Sequence, residues 1–400
     1  MAICKKKPLI ITLILTILTQ IVFAQKKKVN EFSAIDNKAL QLPDSLTKTT
    51  SDFASYINNN FVTDNDKVRA IFIWIVSNVE YDIDNMFAMN FYEAKEEKIA
   101  KPLKTRKGIC ENYAALFTDI CLKSGVKSFV IEGYTKQNGF ADYIPHAWSA
   151  ALIDSTWYLF DPTWASGYAT NGKFYKKLDN SYFKVNPSLF IKSHMSFDYL
   201  WQFLHNPISN QEFYEGKTNQ NKTNSYFSFN DSIKVYEEQN HIDQLISSSY
   251  RIEKNGVKNS LIFDRLQHLK IEIERDKQEH IINLFNSAVI NYNEGVGSLN
   301  DFTNYRNKQF TPKKTDLEIQ TMLDITEIQF KEAKIRLEQI SNPDANTISM
   351  IKQLTKSIDD ANSNLTEQQN WLKTYFSKSK SGRKAMFYER KVSVFGVPIN

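Results

Sequence analysis

The chain has 400 residues, 42% hydrophobic and 13% aromatic, enough to bury one or two cores, so two domains are expected. Only 12 glycines occur in that length, which disfavours a loop-rich or all-β design. The formal net charge is +5; without the three lysines of the first 24 residues it is near +2, too little to point to nucleic acid or an acidic surface as partner.

Lys5, Lys6 and Lys7 precede an apolar run from Pro8 to Leu18, and Val22-Phe23-Ala24 puts small residues at the −3 and −1 positions. A charged n-region, an apolar h-region and such a site make a secretory signal peptide, so residues 1–24 are expected to be removed and the mature protein to be exported, periplasmic or secreted. The apolar run is short of the roughly 20 residues that a membrane span needs. Residues 25–45, with Lys26, Lys27 and Lys28, read as a leader and linker.

A helix is expected from Asp64 to Val79, capped by Thr63-Asp64-Asn65-Asp66, with Val68, Ile71, Phe72, Ile75 and Val79 on its buried face and Trp74 in the core. A second helix begins at "RKGICENYAALF", Arg106 to Phe117, with Cys110 in its first turn and the helical period continuing to Lys123 before Gly125. Cys4 leaves with the signal, which keeps Cys110 and Cys121. Eleven residues of helix rise about 16 Å, whereas a disulfide holds Cα atoms within about 7 Å. Both thiols are therefore expected to be free, Cys121 in the core and Cys110 near the surface.

The pattern then turns to strands at Ser128–Thr135, Ala147–Ile153 and Thr156–Phe160, the last two joined by Asp154-Ser155 as a tight turn. Helices followed by an antiparallel sheet make an α+β domain, placed at residues 46–214. Residues 215–230, containing "EGKTNQNKTNS", read as a polar linker, and residues 231–400 as an all-α region. There, Ile262, Leu266, Leu269 and Ile273 start a helix expected to reach Tyr292, short of Gly295 and Gly297. A seam then runs Ile319, Leu323, Thr326, Phe330, Ala333, Leu337, Ile340, and a second runs Ile351, Leu354, Ile358, Ala361, Leu365, Gln368, Leu372, Tyr375. These are heptad spacings, and Asn342-Pro343-Asp344 between them breaks the helix into an antiparallel hairpin, coiled-coil-like in pattern. His268 and His280 are lone histidines, and no metal-ligand cluster stands out.

The chemistry-bearing stretch is "PHAWSAALIDSTWYLFDPTW", Pro145 to Trp164. With a two-residue turn at Asp154-Ser155, Ile153 pairs with Thr156 and Leu152 with Trp157. Extended onward, this register sets His146 opposite Thr163 and Asp161 opposite Trp148, so His146 and Asp161 are diagonal neighbours on one face. A thiol reacts as its thiolate, and a helix N-terminus with a nearby imidazolium favours that form. Cys110 as nucleophile, His146 as general acid and base, and Asp161 as the group that orients the imidazole fit this chemistry. The Cys110 backbone N–H can serve an oxyanion; a second donor cannot be named from sequence. By spacing alone, one Cys, one His and one Asp chosen from a chain of this size leave a purely structural role open.

"RKGICENYAALF", "HAWSAALIDSTWYLFDPTW" and the upstream "DKVRAIFIWIVSNVEYD" resemble the core of the transglutaminase-like superfamily, and "NPSLFIKSHMSFDYLWQFLHNPIS" is similar to the tail of its kyphoscoliosis-peptidase-like, cytokinesis-related subgroup. The resemblance covers roughly Asp64 to Ser209. It implies a papain-like cysteine fold, with the nucleophile at Cys110, the histidine at His146 and the aspartate at Asp161, His and Asp on adjacent antiparallel strands. Trp148 and Trp164 match motif aromatics; with Tyr113 they are weak candidates for substrate contact, though packing around the site is the preferred role of the two tryptophans. His194 and His205 fall in the subgroup-like tail and are expected to be structural. The resemblance implies thioester chemistry on protein or peptide amides, with water or an amine as acceptor. No acidic loop like the calcium sites of animal transglutaminases is visible in this sequence, so a hydrolase without metal or cofactor is expected. Two other readings stand beside the enzyme: a silent binding module whose groove holds an extended segment, and a scaffold whose C-terminal helices meet a protein partner.

Overall fold

The computed structural model describes residues 31–89, 93–137, 140–219 and 226–388. The expected signal segment and most of the leader lie outside them. The chain divides into two compact units, one up to Lys270 and one from Ile271. The linker expected at 215–230 falls inside the first. No helix among the described residues is long and apolar enough to cross a membrane.

The first unit is α+β. Helices α1 (Ser33–Ala39), α2 (Thr50–Asn60), α3 (Asp64–Asn78), α4 (Lys95–Thr105) and α5 (Cys110–Lys123) precede most of the strands. Thr63 caps α3 by accepting from the Asp66 N–H. That helix is buried from Val68 to Val76 rather than along one stripe, because α1, α2 and α5 all pack on it. Its Arg69 is wholly buried and is held by both oxygens of Asp36, at 2.6 and 2.7 Å, and by Asn180. Trp74 lies in the core, as read from the sequence.

Strand β1 (Glu80–Tyr81) follows α3 and pairs in parallel with β2 (Lys107–Gly108), just ahead of Cys110. The main sheet has the order β5-β4-β3-β8, with β3 at Ser128–Gln137, β4 at Phe140–Ile153, β5 at Thr156–Phe160 and β8 at His194–Ser196. Every pairing in it is antiparallel. The β4–β5 turn is the two-residue one expected, Asp154 and Ser155 both at positive φ (48° and 61°). A type I′ turn of this kind matches the strands' twist, and it fixes Ile153 to Thr156 and Ser149 to Phe160. Between β5 and β8 the chain makes α6 (Pro162–Ser166) and a small hairpin of β6 (Gly167–Thr170) and β7 (Lys173–Lys176). Helix α5 lies across β3 and β4, and Phe72, Phe117 and Phe160 meet between helices and sheet.

Further on, helices from Phe229 to Glu238 and from His241 to Lys254 and the first turns of a long helix, Ser260–Asn307, cover the outer side of the sheet. Ile252, Ile262 and Leu266 join Tyr134, Met195 and Phe197 in one core.

The second unit is helical. The long helix does not stop at Tyr292 but continues through both glycines to Asn307. A Cβ on Gly295 would stand 2.5 Å from a Phe330 ring carbon, so the missing side chain serves close packing rather than termination. Asp316–Glu338 and Ala345–Ser377 form the expected hairpin. Lys334 reaches Asp359 and Gln369 reaches Glu327, a crossing order that makes them antiparallel. Ile319, Leu323, Thr326, Phe330, Ala333 and Leu337 are buried on one helix, and Leu354, Ile358, Leu365 and Leu372 on the other.

Candidate active site

Cys110 opens α5 because Ile109 before it is extended and the Ile109 N–H is closed by Asn112 Oδ1 at 2.9 Å. Asn112 Nδ2 in turn donates to the Lys98 carbonyl, which ties the helix start to α4. The thiol is less exposed than the sequence suggested: Cys110 is 5% accessible and packs with Ala114 and Ala147. Among the described residues no disulfide forms: Cys110 and Cys121 are both free and buried.

His146 sits on β4 opposite Gly133 of β3. The sequence reading put Asp161 on the partner strand. The ladder instead ends at Phe160, and Asp161 is the N-cap of α6. Neither Asp161 nor Thr163 pairs across from β4. Pro162 has no N–H and a fixed φ, which suits the first helical position and ends the strand. Asp161 is fully buried and accepts four hydrogen bonds. Oδ1 takes the Thr163 and Trp164 N–H groups at 2.9 and 3.0 Å, while Oδ2 takes His146 Nε2 at 2.8 Å and His194 Nε2 at 3.1 Å. An ionised carboxylate only accepts, so both imidazoles donate through Nε2. The second ring nitrogen of His146 is thereby left unengaged by Asp161, and the neighbouring Cys110 thiol is among the groups that favour the charged imidazole.

The sequence alone gives His194 only a structural role, yet it shares the carboxylate of this site. Its Nδ1 is closed by the Ser193 hydroxyl at 2.8 Å, and its ring stacks on Phe190 at 3.9 Å. It reaches Asp161 because β8 pairs with β3 next to β4. That crossover leaves no local mark in the sequence. His205 lies elsewhere, against Tyr226 and Phe229.

The electrostatics follow from this geometry. Burial lowers the His146 pKa, but the Asp161 charge and hydrogen bond, with the Cys110 thiol, overcome it and push it up to about 10. Burial raises the Asp161 carboxyl, yet the two histidines outweigh that and hold it well below the usual carboxylate range. Burial is the main reason that His194 falls to about 4, which keeps it neutral. One histidine is thus set to carry charge beside a thiol, and its neighbour is set to stay uncharged. By donor type, His146, Asp161 and His194 could also hold a metal ion, their ligand atoms all lying within 4.8 Å. The hydrogen bonds just described already engage those atoms.

A cleft of about 930 Å³ opens at the site, walled by His146, Tyr81, Trp164, Tyr168, Phe174 and Tyr182, among others. Of the three aromatics considered for substrate contact, Trp164 alone lines it; it packs on His194 and His146 at 4.6 and 5.5 Å. Trp148 is buried beneath, edge-on to His194. Tyr113 is wholly buried, and its hydroxyl donates to the Val79 carbonyl at 2.9 Å. It therefore fastens α5 to the segment leading into β1, out of reach of a ligand in the cleft.

Residues 51–162 match the family model described as the transglutaminase-like superfamily, so the chain carries a domain of that superfamily. The kyphoscoliosis peptidase of Mus musculus is 32% identical over 193 residues, which make up 46% of this chain and 28% of that protein. The Homo sapiens kyphoscoliosis peptidase is 36% identical over 162 residues, 38% of this chain and 24% of that protein. The chain thus covers under a third of these curated relatives. Among solved structures, the periplasmic domain of TgpA from Pseudomonas aeruginosa aligns with 33% of this chain and 47% of its own, at 19% identity and a TM-score of 0.24.

Proposed function

We propose that the domain is a cysteine-dependent amide hydrolase or acyl transferase that works on protein or peptide amides through a thioester at Cys110. The observation that carries this reading is the His146–Asp161 hydrogen bond at the cleft wall, on a histidine whose charge is coupled to the thiol at the start of α5. In the first half-reaction the sulfur attacks the amide carbon, and the carbonyl electron pair moves to oxygen. The His146 proton passes to the departing nitrogen, the C–N bond breaks, and a thioester is left. Water or a primary amine then gives a proton to His146 and attacks the thioester, and the sulfur leaves as thiolate. Asp161 holds the imidazole in the one tautomer that leaves a nitrogen for the thiol. Cleavage of the N-terminal segment and export belong to the same reading, on the strength of the Lys5–Lys7 and Val22–Ala24 pattern. So does a protein partner for the C-terminal helices.

The test is intact mass after iodoacetamide at several pH values. One rapid adduct at pH 6–7 is expected, absent in Cys110→Ala and slowed in His146→Ala. Labelling that is slow at that pH, or equal at Cys121, would sink the reading and favour a binding module that only holds an extended segment.

A further inference from the structure

The oxyanion formed at Cys110 has one evident donor, the Cys110 backbone N–H at the start of α5, where the first N–H groups lack intrahelical partners. A second donor has to be a protonated group that faces the cleft and is not already engaged. Asn112 fails, because its Nδ2 is taken by the Lys98 carbonyl. Trp148 fails, because it is buried and absent from the cleft wall. Tyr81 meets each condition. It pairs with Gly108, two residues before the thiol, and the Asp82 N–H donates to the Gly108 carbonyl at 3.0 Å, which fixes that register. It lines the cleft together with His146, and its ring packs near Phe174. Its hydroxyl makes no hydrogen bond to any described residue, although the residue is half-buried.

We propose that the Tyr81 hydroxyl is the second hydrogen-bond donor to the tetrahedral oxyanion at Cys110. The inference rests on the thioester reading above. Tyr81 lends a hydrogen bond to the negative oxygen while the C–S bond forms, and keeps its proton when the C–N bond breaks. Burial, then the charges of Cys110, Asp161 and Asp82, raise its pKa far from neutrality, so the phenol stays a donor throughout. The buried Tyr113–Val79 bond explains how the donor is held, since it ties the β1 approach to the helix that bears the thiol.

The experiment uses the full chain and two probes of the same thiol. p-Nitrophenyl acetate acylates through a tetrahedral oxyanion; iodoacetamide alkylates by displacement at carbon and forms none. Tyr81→Phe removes an oxygen that has no protein partner, so the melting temperature is expected to hold. Acylation of Cys110 should then slow roughly 100-fold, the usual effect of losing one such donor, while alkylation stays within twofold. Unchanged acylation, or an equal loss with both probes, would overturn the assignment of Tyr81. A wild-type chain in which Cys110 reacts with neither probe would overturn the thioester reading itself, and this inference with it.

Discussion

Replacing Asp161 with Asn changes one atom and tests the logic of the whole site. Oδ1 must stay an oxygen, because it caps α6 by accepting from the Thr163 and Trp164 N–H groups. The new NH2 group therefore takes the place of Oδ2 and faces the Nε2 atoms of both His146 and His194. Each ring must now accept there and carry its proton on Nδ1. His194 tolerates this, since the Ser193 hydroxyl can turn from donor to acceptor. His146 does not, because the ring nitrogen turned away from Asp161, the one that receives the thiol proton in the proposed mechanism, is then filled. The imidazolium loses support as well. Its pKa stands at about 10 against an ordinary 6.5, chiefly through Asp161. At about 1.4 kcal/mol per unit, that is roughly 5 kcal/mol in favour of the charged form. Loss of most of it predicts a fall in Cys110 alkylation at pH 7 of roughly a thousandfold, in line with about 10⁴ for a comparable tautomer change in a serine triad. The assay is the second-order rate of iodoacetamide adduct formation by intact mass, with fully buried Cys121 as the internal control. Wild type should be reactive from acid pH upward; the variant should climb only towards alkaline pH. A variant within threefold of wild type at pH 7, still folded, would refute the idea that Asp161 sets the tautomer and charge of His146.

Other outcomes follow from the same contacts. Thermal melts should show site-linked stability limits on both sides: His146, raised to about 10, contributes fully below pH 6.5 and the contribution is lost as pH rises through 10. Asp161, with its pKa depressed, contributes above about pH 4 and loses it as acid protonates it; a melt flat from pH 3 to 11 would contradict both. His194→Phe deletes a donor to a buried carboxylate and should cost about 1.5–3 kcal/mol by urea unfolding, while also altering the alkylation pH profile; an unchanged profile would reduce His194 to packing. Asp36→Ala leaves the Arg69 guanidinium buried without its carboxylate and should cost about 3–5 kcal/mol, whereas Asp36→Asn should cost less. Gly133→Ala places a Cβ 2.0 Å from the Met195 carbonyl and 2.6 Å from the Trp148 ring, so β8 must shift; lost stability should come with slower Cys110 alkylation through the displaced His194.

Much of the chain was legible from local pattern. A two-residue turn at Asp154-Ser155 sets the β4–β5 register, because a loop of that length allows only one pairing of the residues beside it. The heptad seams of the second unit and the break at Asn342-Pro343-Asp344 likewise predicted a helical hairpin; every seam position but Ile340 is buried on its first helix, whereas Ile351, Ala361, Gln368 and Tyr375 of the second are only half-buried. A cysteine at the first turn of α5 and a histidine a few residues before that turn's strands meet were visible as types and spacings. The Asp161 cap has a local mark too, since Asp-Pro-Thr is a helix-start signal, and strand alternation carried past Phe160 misplaces the carboxylate.

What the sequence could not determine lies in pairings between distant segments. Tyr81 reaches the site because β1 pairs with β2 across the whole of α4, and His194 because β8 crosses to β3. The passage of the long helix through Gly295 was decided by the Phe330 ring of another helix. The burial of Cys110, Tyr113 and Trp148 was decided by what packs over them. Periodicity and turn chemistry act over a few residues and fix which face a side chain takes. Which distant side chain it then meets is settled when the sheet and helices close on one another, and that is how one carboxylate came to be held by two histidines.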